Sequence, residues 1–433
     1  MEDHIVGGLS RAEALERTQQ GGTIVCLSMP SNVDFGIDLR SYSVGPQFRG
    51  IKMIPCDDHS AGAMHFVTCG SELATCGVFV ALRPADVCVF RWDASDELLK
   101  PLADDDDEAA QLTAAVRHME LDASLGPYPL ATEAQWRELS GHITPRVLKR
   151  AGIPVGTLVA AGLDGAEMKQ LEREVEAARA KQKQLNPTSQ QPSLQRSRAA
   201  SESAAACLSR VASPSASFVQ LDPRSGGRGR SGAALSRFHL DKSEWLTQLL
   251  REAYADSSSA AANGAAAAAE GSNARGSAAS GGDAAAEGHL LGELQLAYLL
   301  FLRLSSLRAL EQWKALVHLL LSCEEALHAR PRLYVQALAT LRAQLSLAPH
   351  DFFDAEVGED NFLLDALASL AEHTESTAGS DGMPRAVVAP ALAEELGRLW
   401  AFIGSRFGIS VEALRASAIE EDEEDAPVVV EGL

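Results

Sequence analysis

The chain has 433 residues, 46% hydrophobic and 5% aromatic, with 38 basic against 59 acidic residues and a formal net charge of −21. That length exceeds a single ordinary core, so two folded domains plus connecting material are expected. The acidic balance argues against a general nucleic-acid binder, because duplex affinity comes mainly from Lys and Arg neutralising phosphates. A protein partner suits it better.

The N-terminal MEDHIVGGLSRAEALERTQQ lacks a charged-then-apolar signal arrangement, and no stretch reaches the roughly 18 uninterrupted apolar residues of a membrane helix. A soluble intracellular protein without membrane contact is expected. Seven cysteines without regular spacing fit a reducing compartment.

A short helical lead over 11–17 precedes a β-branched run at 23–27, and further short runs follow at 50–54, 63–68, 77–82 and 86–92. The last two flank Arg83-Pro84-Ala85, which reads as a hairpin turn set by Pro. Short strands without crossover helices predict an antiparallel β-sandwich or barrel-like domain. Beyond it, Asp104 to Glu108 reads as a solvated acidic face. Trp136, Leu139, Ile143 and Val147 recur at helical spacing, in helices that close or strap the sheet. Residues 167–185 form a charged helical pattern.

Residues 181–236 are rich in Ser, Ala, Pro and Gly and read as a disordered linker. A second Ala/Gly/Ser insert, 257–287, reads as a flexible loop, with transient poly-Ala helix as the alternative. Between them Asp241 resembles an N-cap, with Glu244 three residues on, for a helix carrying Leu246, Leu249, Leu250 and Tyr254. Apolar stripes then follow at Leu294, Tyr298, Phe301 and Leu302; at Trp313, Leu316, Val317 and Leu320; at Tyr334, Leu338, Leu341 and Leu345; over 362–370; and at Leu392, Leu396, Leu399 and Ile403. The fold class is therefore α+β, with an N-terminal β-rich domain over 1–180 and an α-helical domain over 237–415. The acidic tail 416–433 ends in Val428-Val429-Val430, an orphan strand suited to pairing with a partner's sheet edge.

Catalytic chemistry finds little footing. No G-x-S-x-G elbow, Walker loop or Rossmann loop occurs, and no cofactor is expected. Cys56, His59, His65, Cys69 and Cys76 invite a zinc reading, but their spacing is irregular and includes no C-x-x-C, so structural thiols and histidines are preferred. The short Gly/Arg patch at 226–232 contains no aromatic, so direct RNA contact is disfavoured against a solvated basic linker. His318, His328, His350 and His373 lack carboxylates at a constant offset and read as structural or surface residues. Ser197 and Ser213 resemble kinase sites of a kind common in such segments.

The most particular stretch is FGIDLRSYSVGPQFRGIKMIP, residues 35–55. Phe35, Gly36, Ile37, Asp38, Gly45, Pro46, Phe48, Gly50, Lys52, Met53, Ile54 and Pro55, together with Met29, Pro30 and Val44, resemble the N-terminal signature of the Aar-two family. These are splicing factors acting in U5 small nuclear ribonucleoprotein assembly. Tyr128, Trp136, Leu139, Ile143 and Thr144 fit it too. So do LGELQLAYLLFL at 291–302, Trp313, Leu333-Tyr334, Gln344-Leu345, DFF at 351–353 and Asn361-Phe362-Leu363 in the helical half. Cys56-Asp57-Asp58 departs from the Pro-Gly usual in the family. The resemblance implies a β-rich domain followed by a helical one, and a non-enzymatic role in the nucleus and cytoplasm. It also implies binding to the large U5 scaffold of the Prp-eight family, through its RNase H-like and Jab/MPN-like domains. From the residues themselves, Gly36, Gly45, Pro46, Gly50 and Pro55 read as turn formers, and Phe35, Phe48 and Met53 as packing residues. A helical adaptor in another pathway is the alternative, and a hydrolase would need a motif that is not seen.

Overall fold

The computed structural model describes residues 10–160 (except 32, 59–60, 72–73 and 104–105), 216–221, 231–254 (except 233–234, 237 and 239–240), 275–349, 362–375 and 388–415. The helix expected over 167–185, most of the first linker, and the tail with Val428, Val429 and Val430 lie outside the described residues, as do His59, His350, Ser197 and Ser213. The chain forms two compact units, Met1–Ser217 with Leu299–Ala309, and Phe218–Tyr298 with Leu310–Leu433.

In the first unit Ser10 caps α1 (Arg11–Gln20). Its N–H donates to Glu13 Oε2 at 2.8 Å and its Oγ accepts from Glu13 N at 3.3 Å, which satisfies two end donors reciprocally. Eight strands follow: β1 (Gly22–Leu27), β2 (Asp34–Ile37), β3 (Arg40–Ser43), β4 (Gly50–Ile54), β5 (Ala63–Ser71), β6 (Ala74–Leu82), β7 (Val87–Asp93) and β8 (Leu98–Pro101). After them come α2 (Asp107–Arg117), β9 (Gly126–Pro127), α3 (Glu133–Ser140), α4 (Pro145–Arg150) and β10 (Leu158–Ala160). The strands make two five-stranded sheets, ordered β8-β7-β1-β4-β9 and β10-β6-β5-β2-β3. Ile24, Phe35, Ile51, Ile54, Val67 and Phe90, drawn from both sheets, share one buried core. On the opposite face of β1 and β7, Val25 and Val89 pack with Ala109 of α2, which is why β1 is buried on both faces.

The α+β architecture and the largely antiparallel pairing are as expected, with two differences. The β1–β7 and β4–β9 pairs run parallel. The turn at Arg83-Pro84-Ala85 does not close a hairpin: it is a corner at which the chain leaves one sheet and enters the other. Asp86 N donates to Arg83 O, and Arg83 N donates to Asp86 Oδ2, so the local turn chemistry is present. Only the destination of the second strand differs.

The helical part comprises α5 (Ser243–Glu252), α6 (Arg275–Leu304), α7 (Leu307–Leu321), α8 (Glu324–Ala329), α9 (Pro331–Leu345), α10 (Phe362–Glu375) and α11 (Pro390–Phe407). Helix α6 begins at Arg275, so residues 275–287, expected as loop, are helical. Its core-facing stretch is wider than the predicted stripe: Leu290, Leu291, Leu296, Ala297, Leu299 and Leu300 are buried alongside Leu294 and Tyr298, while Leu302 is exposed. Residues 216–221, inside the stretch read as linker, hold buried Ala216 and Phe218. In the second unit, Val219 N donates to Glu293 Oε1 at 3.0 Å, and Gln312 Nε2 donates both to Val219 O at 3.0 Å and to Glu293 Oε1 at 2.7 Å.

Asp241 is a cap, but chiefly for another helix. It accepts at Oδ1 from Ser243 N (2.8 Å) and Glu324 N (3.1 Å), and at Oδ2 from Glu325 N (3.1 Å). Ser243 Oγ meanwhile accepts from Ala326 N at 2.8 Å. Helix α8, whose own cap residue Cys323 makes no side-chain capping hydrogen bond, thus has its free amide donors satisfied from the start of α5.

Candidate functional site

The 35–55 signature folds as β2, a two-residue connection at Asp38-Leu39, β3, an exposed turn and β4. Gly36 is a mid-strand residue of β2, contrary to the turn role expected of it. A Cβ there would stand 2.1 Å from Thr68 Oγ1 and 2.6 Å from Arg303 Nη2, so the position requires the absence of a side chain. Gly50 has φ +135°, and a Cβ would meet Ile24 O at 1.9 Å. Gly45, in the exposed turn beside Pro46, would meet nothing within 4 Å. Phe35 is fully buried and its ring centroid lies 5.1 Å from that of Phe48. Met53 and Ile54 are buried; Lys52 Nζ donates to Asp122 O at 3.1 Å and pairs with the Asp122 carboxylate.

Asp38 is the chemical centre of this region. It has φ +52° and is fully buried, at the end of β2. Its Oδ1 accepts from Phe66 N at 2.9 Å, while its Oδ2 accepts from Tyr128 Oη at 2.6 Å and lies 2.7 Å from His65 Nδ1. The other His65 nitrogen, Nε2, is 2.7 Å from Pro55 O. Both imidazole nitrogens therefore face acceptors, an arrangement that a doubly protonated ring satisfies. Burial alone would depress the His65 pKa. Attraction and hydrogen bonding to Asp38, with the Pro55 carbonyl, outweigh it, and the net displacement is upward. Burial, then the Asp38 charge, pushes the Tyr128 hydroxyl far up, so it remains a donor. Trp136 stacks on the His65 ring with centroids 6.5 Å apart, and its Nε1 donates to Met64 O at 2.9 Å.

This network forms one wall of a cleft of about 540 Å³, also lined by Glu133 and Arg137 of α3 and by Pro145 of α4. Glu133 pairs with Arg137 at 2.8 Å and with Arg17 at 3.1 Å. An Asp–His pair invites a catalytic reading, yet His65 has no unoccupied nitrogen with which to take a proton, and Tyr128 is committed to Asp38. Cys56, at the rim, is pushed up to about 11 by burial and donates weakly to Ile54 O, so it is a poor nucleophile. The geometry clamps β2, β4, β5 and the segment before α3 to one another. Among the described residues no group of three His, Cys, Asp or Glu side chains could hold a metal ion. Of the zinc candidates, His65 is engaged as above, and Cys69 and Cys76 face each other across β5 and β6.

Reading the sequence placed Asp38 and Tyr128 in a signature and left His65 among scattered histidines, without joining them. The available signal was a lone carboxylate in an otherwise apolar strand end, with a histidine inside the apolar run Met64–Val67.

The AAR2 N-terminal domain matches residues 20–152, and the AAR2 C-terminal repeat region matches residues 218–412. The chain belongs to the AAR2 family. It is 27% identical to the human protein AAR2 homolog over 361 residues, covering 80% of this chain and 81% of the relative. The mouse AAR2 homolog is 27% identical over 430 residues, 95% of this chain and 94% of the relative. That of Caenorhabditis elegans is 26% identical over 381 residues, 86% and 92%. The Asp38 network lies wholly within the AAR2 N-terminal domain match, and the helices α6 to α11 fall wholly within the AAR2 repeat region.

Proposed function

We propose that this AAR2 family member is a non-enzymatic assembly chaperone in pre-mRNA splicing. It binds the large U5 core scaffold of the Prp-eight family before the mature particle forms, and works in the nucleus and cytoplasm. The observation that carries this reading is membership of the family through both halves of the chain. A clamp whose histidine is fully engaged supports a protein that works by shape, and differential affinity for one state of a client is sufficient for such a role. No described helix is long and apolar enough to cross a membrane. The −21 net charge would repel RNA from a bound client.

Affinity purification from the native cell with mass spectrometry tests the proposal. Recovery of the U5 scaffold without mature spliceosome components is expected; its absence would overturn the reading. Removing the chain after Asp425 is expected to weaken capture of the Jab/MPN-like domain in a pull-down. Unchanged capture would argue against pairing of Val428–Val430 with the client.

A further inference from the structure

The β10-β6-β5-β2-β3 sheet ends at β3, whose four residues Arg40, Ser41, Tyr42 and Ser43 are all exposed. Asp38 N donates back to Phe66 O of β5. By the alternation of an antiparallel ladder, Gly36 and Asp34 also turn their backbone groups toward β5, leaving Ile37 and Phe35 to bond with β3. Ser41 and Ser43, opposite Gly36 and Asp34, therefore point their N–H and C=O groups away from the sheet. That is an open template for another strand.

The same unit contains residues Leu299–Ala309, and Arg303 from that segment reaches this edge. Its Nη2 donates to Ser41 Oγ at 3.0 Å and Thr68 Oγ1 at 3.2 Å. No carboxylate pairs with it among the described residues, and its buried Nε has no hydrogen-bond partner. Its direct acceptors are hydroxyls; the Asp38 carboxylate attracts it without making an ion pair, so its desolvation is only partly offset. Three of the six large apolar side chains exposed among the described residues, Tyr42, Leu302 and Leu307, lie on β3 or beside Arg303 in sequence. An exposed aromatic on the unpaired strand, with an arginine hydrogen-bonded to its Ser41, is in keeping with the residue types that dominate interfaces. Arg40 and Arg303 are the cations at this edge, and the two carboxylates of the hairpin are engaged by other groups, Asp34 by Ser43 Oγ at 2.9 Å and Asp38 by His65, Phe66 N and Tyr128.

We propose that β3 is a docking edge that takes up an extended segment of the client protein as an added strand, with an acidic side chain of that segment seated on Arg303. The client is the scaffold of the preceding section, so the inference rests on that reading. Strand addition supplies affinity through the backbone, and the acidic side chain supplies register.

The test uses the full-length protein with the purified RNase H-like and Jab/MPN-like domains of the scaffold. In hydrogen exchange, the amides of Ser41 and Ser43 are expected to exchange fast in the free protein and at least tenfold more slowly in the complex. Ser43→Pro, which removes an outward N–H, and Leu307→Asp, at a position 53% exposed, are each expected to weaken binding at least tenfold with an unchanged melting temperature. Arg303→Glu should weaken it further. Unprotected Ser41 and Ser43 in a complex that does form would overturn the proposal and leave the scaffold reading standing, as would wild-type affinity in both variants. Failure of the wild-type protein to bind either domain would overturn both readings. A dimer of this chain abolished by Ser43→Pro would assign the edge to a second copy and overturn the proposal.

Discussion

Asp38 has three hydrogen-bonding neighbours and no exposure, so replacing it exposes how much of the first unit hangs on one carboxylate. Asp38→Asn would leave a buried imidazole facing an amide in place of its counter-ion, and about 3 kcal/mol of stability is expected to be lost, read from the denaturant midpoint. The pH dependence follows from His65. Its folded pKa is raised, so the stability it contributes is complete below the unfolded value of about 6.5 and disappears as pH climbs through the raised folded value. The melting-temperature gap between the wild type and His65→Gln should therefore narrow across that window; a gap that widens with pH would contradict the ion pair. The signature glycines divide in the same way. Gly50→Ala forces a Cβ onto Ile24 O at a positive φ and should cost several kcal/mol, whereas Gly45→Ala should change the midpoint by less than about 0.5 kcal/mol. The packing roles of Phe35, Phe48 and Met53 were legible from their apolar character and their turn-rich surroundings. The Asp38 network was not, because its partners His65 and Tyr128 stand 27 and 90 residues away in the chain and only the sheet pairing brings them together.

Among the elements, those whose partner is the next turn of the same helix were the easiest to read. Trp313, Leu316, Val317 and Leu320 are all buried, as are Tyr334, Leu338, Leu341 and Leu345, because period 3.6 is a local property. The corner at Arg83-Pro84-Ala85 was misread because a tight turn looks the same whether the next strand returns to its own sheet or passes to the opposite one. The start of α6 was misread because glycine and serine lower intrinsic helix propensity, yet the helix continues back from a deeply buried segment. Asp241 shows the complementary case, in which the capping residue was found while its second helix was hidden 83 positions on. Asp241→Ala is accordingly expected to cost about 1–2 kcal/mol, with faster amide exchange at Glu324 and Glu325 as the specific sign of a lost α8 cap. In α11, Gly397 is exposed and has open space for a Cβ, so Gly397→Ala should stabilise the helix by about 0.5–1 kcal/mol in thermal unfolding.

For the whole molecule, neither compact unit is a continuous stretch of sequence, since the first unit takes in Leu299–Ala309. A fragment ending at residue 217 lacks Arg303, and with it the hydrogen bonds to Ser41 and Thr68. That fragment is expected to melt several degrees below the corresponding transition of the intact chain, and equal melting temperatures would show that the 299–309 segment adds nothing. The same interleaving sets an order on biosynthesis. The strands of the first unit leave the ribosome early, but the last piece of their own unit is translated only after a long stretch belonging to the second. At ~5–20 residues per second that interval is on the order of ten seconds. Throughout it Ser41 and Thr68 stand without the Arg303 guanidinium that bonds their hydroxyls in the complete chain. Arg303 is thus a late addition to a sheet whose strands are synthesised long before it.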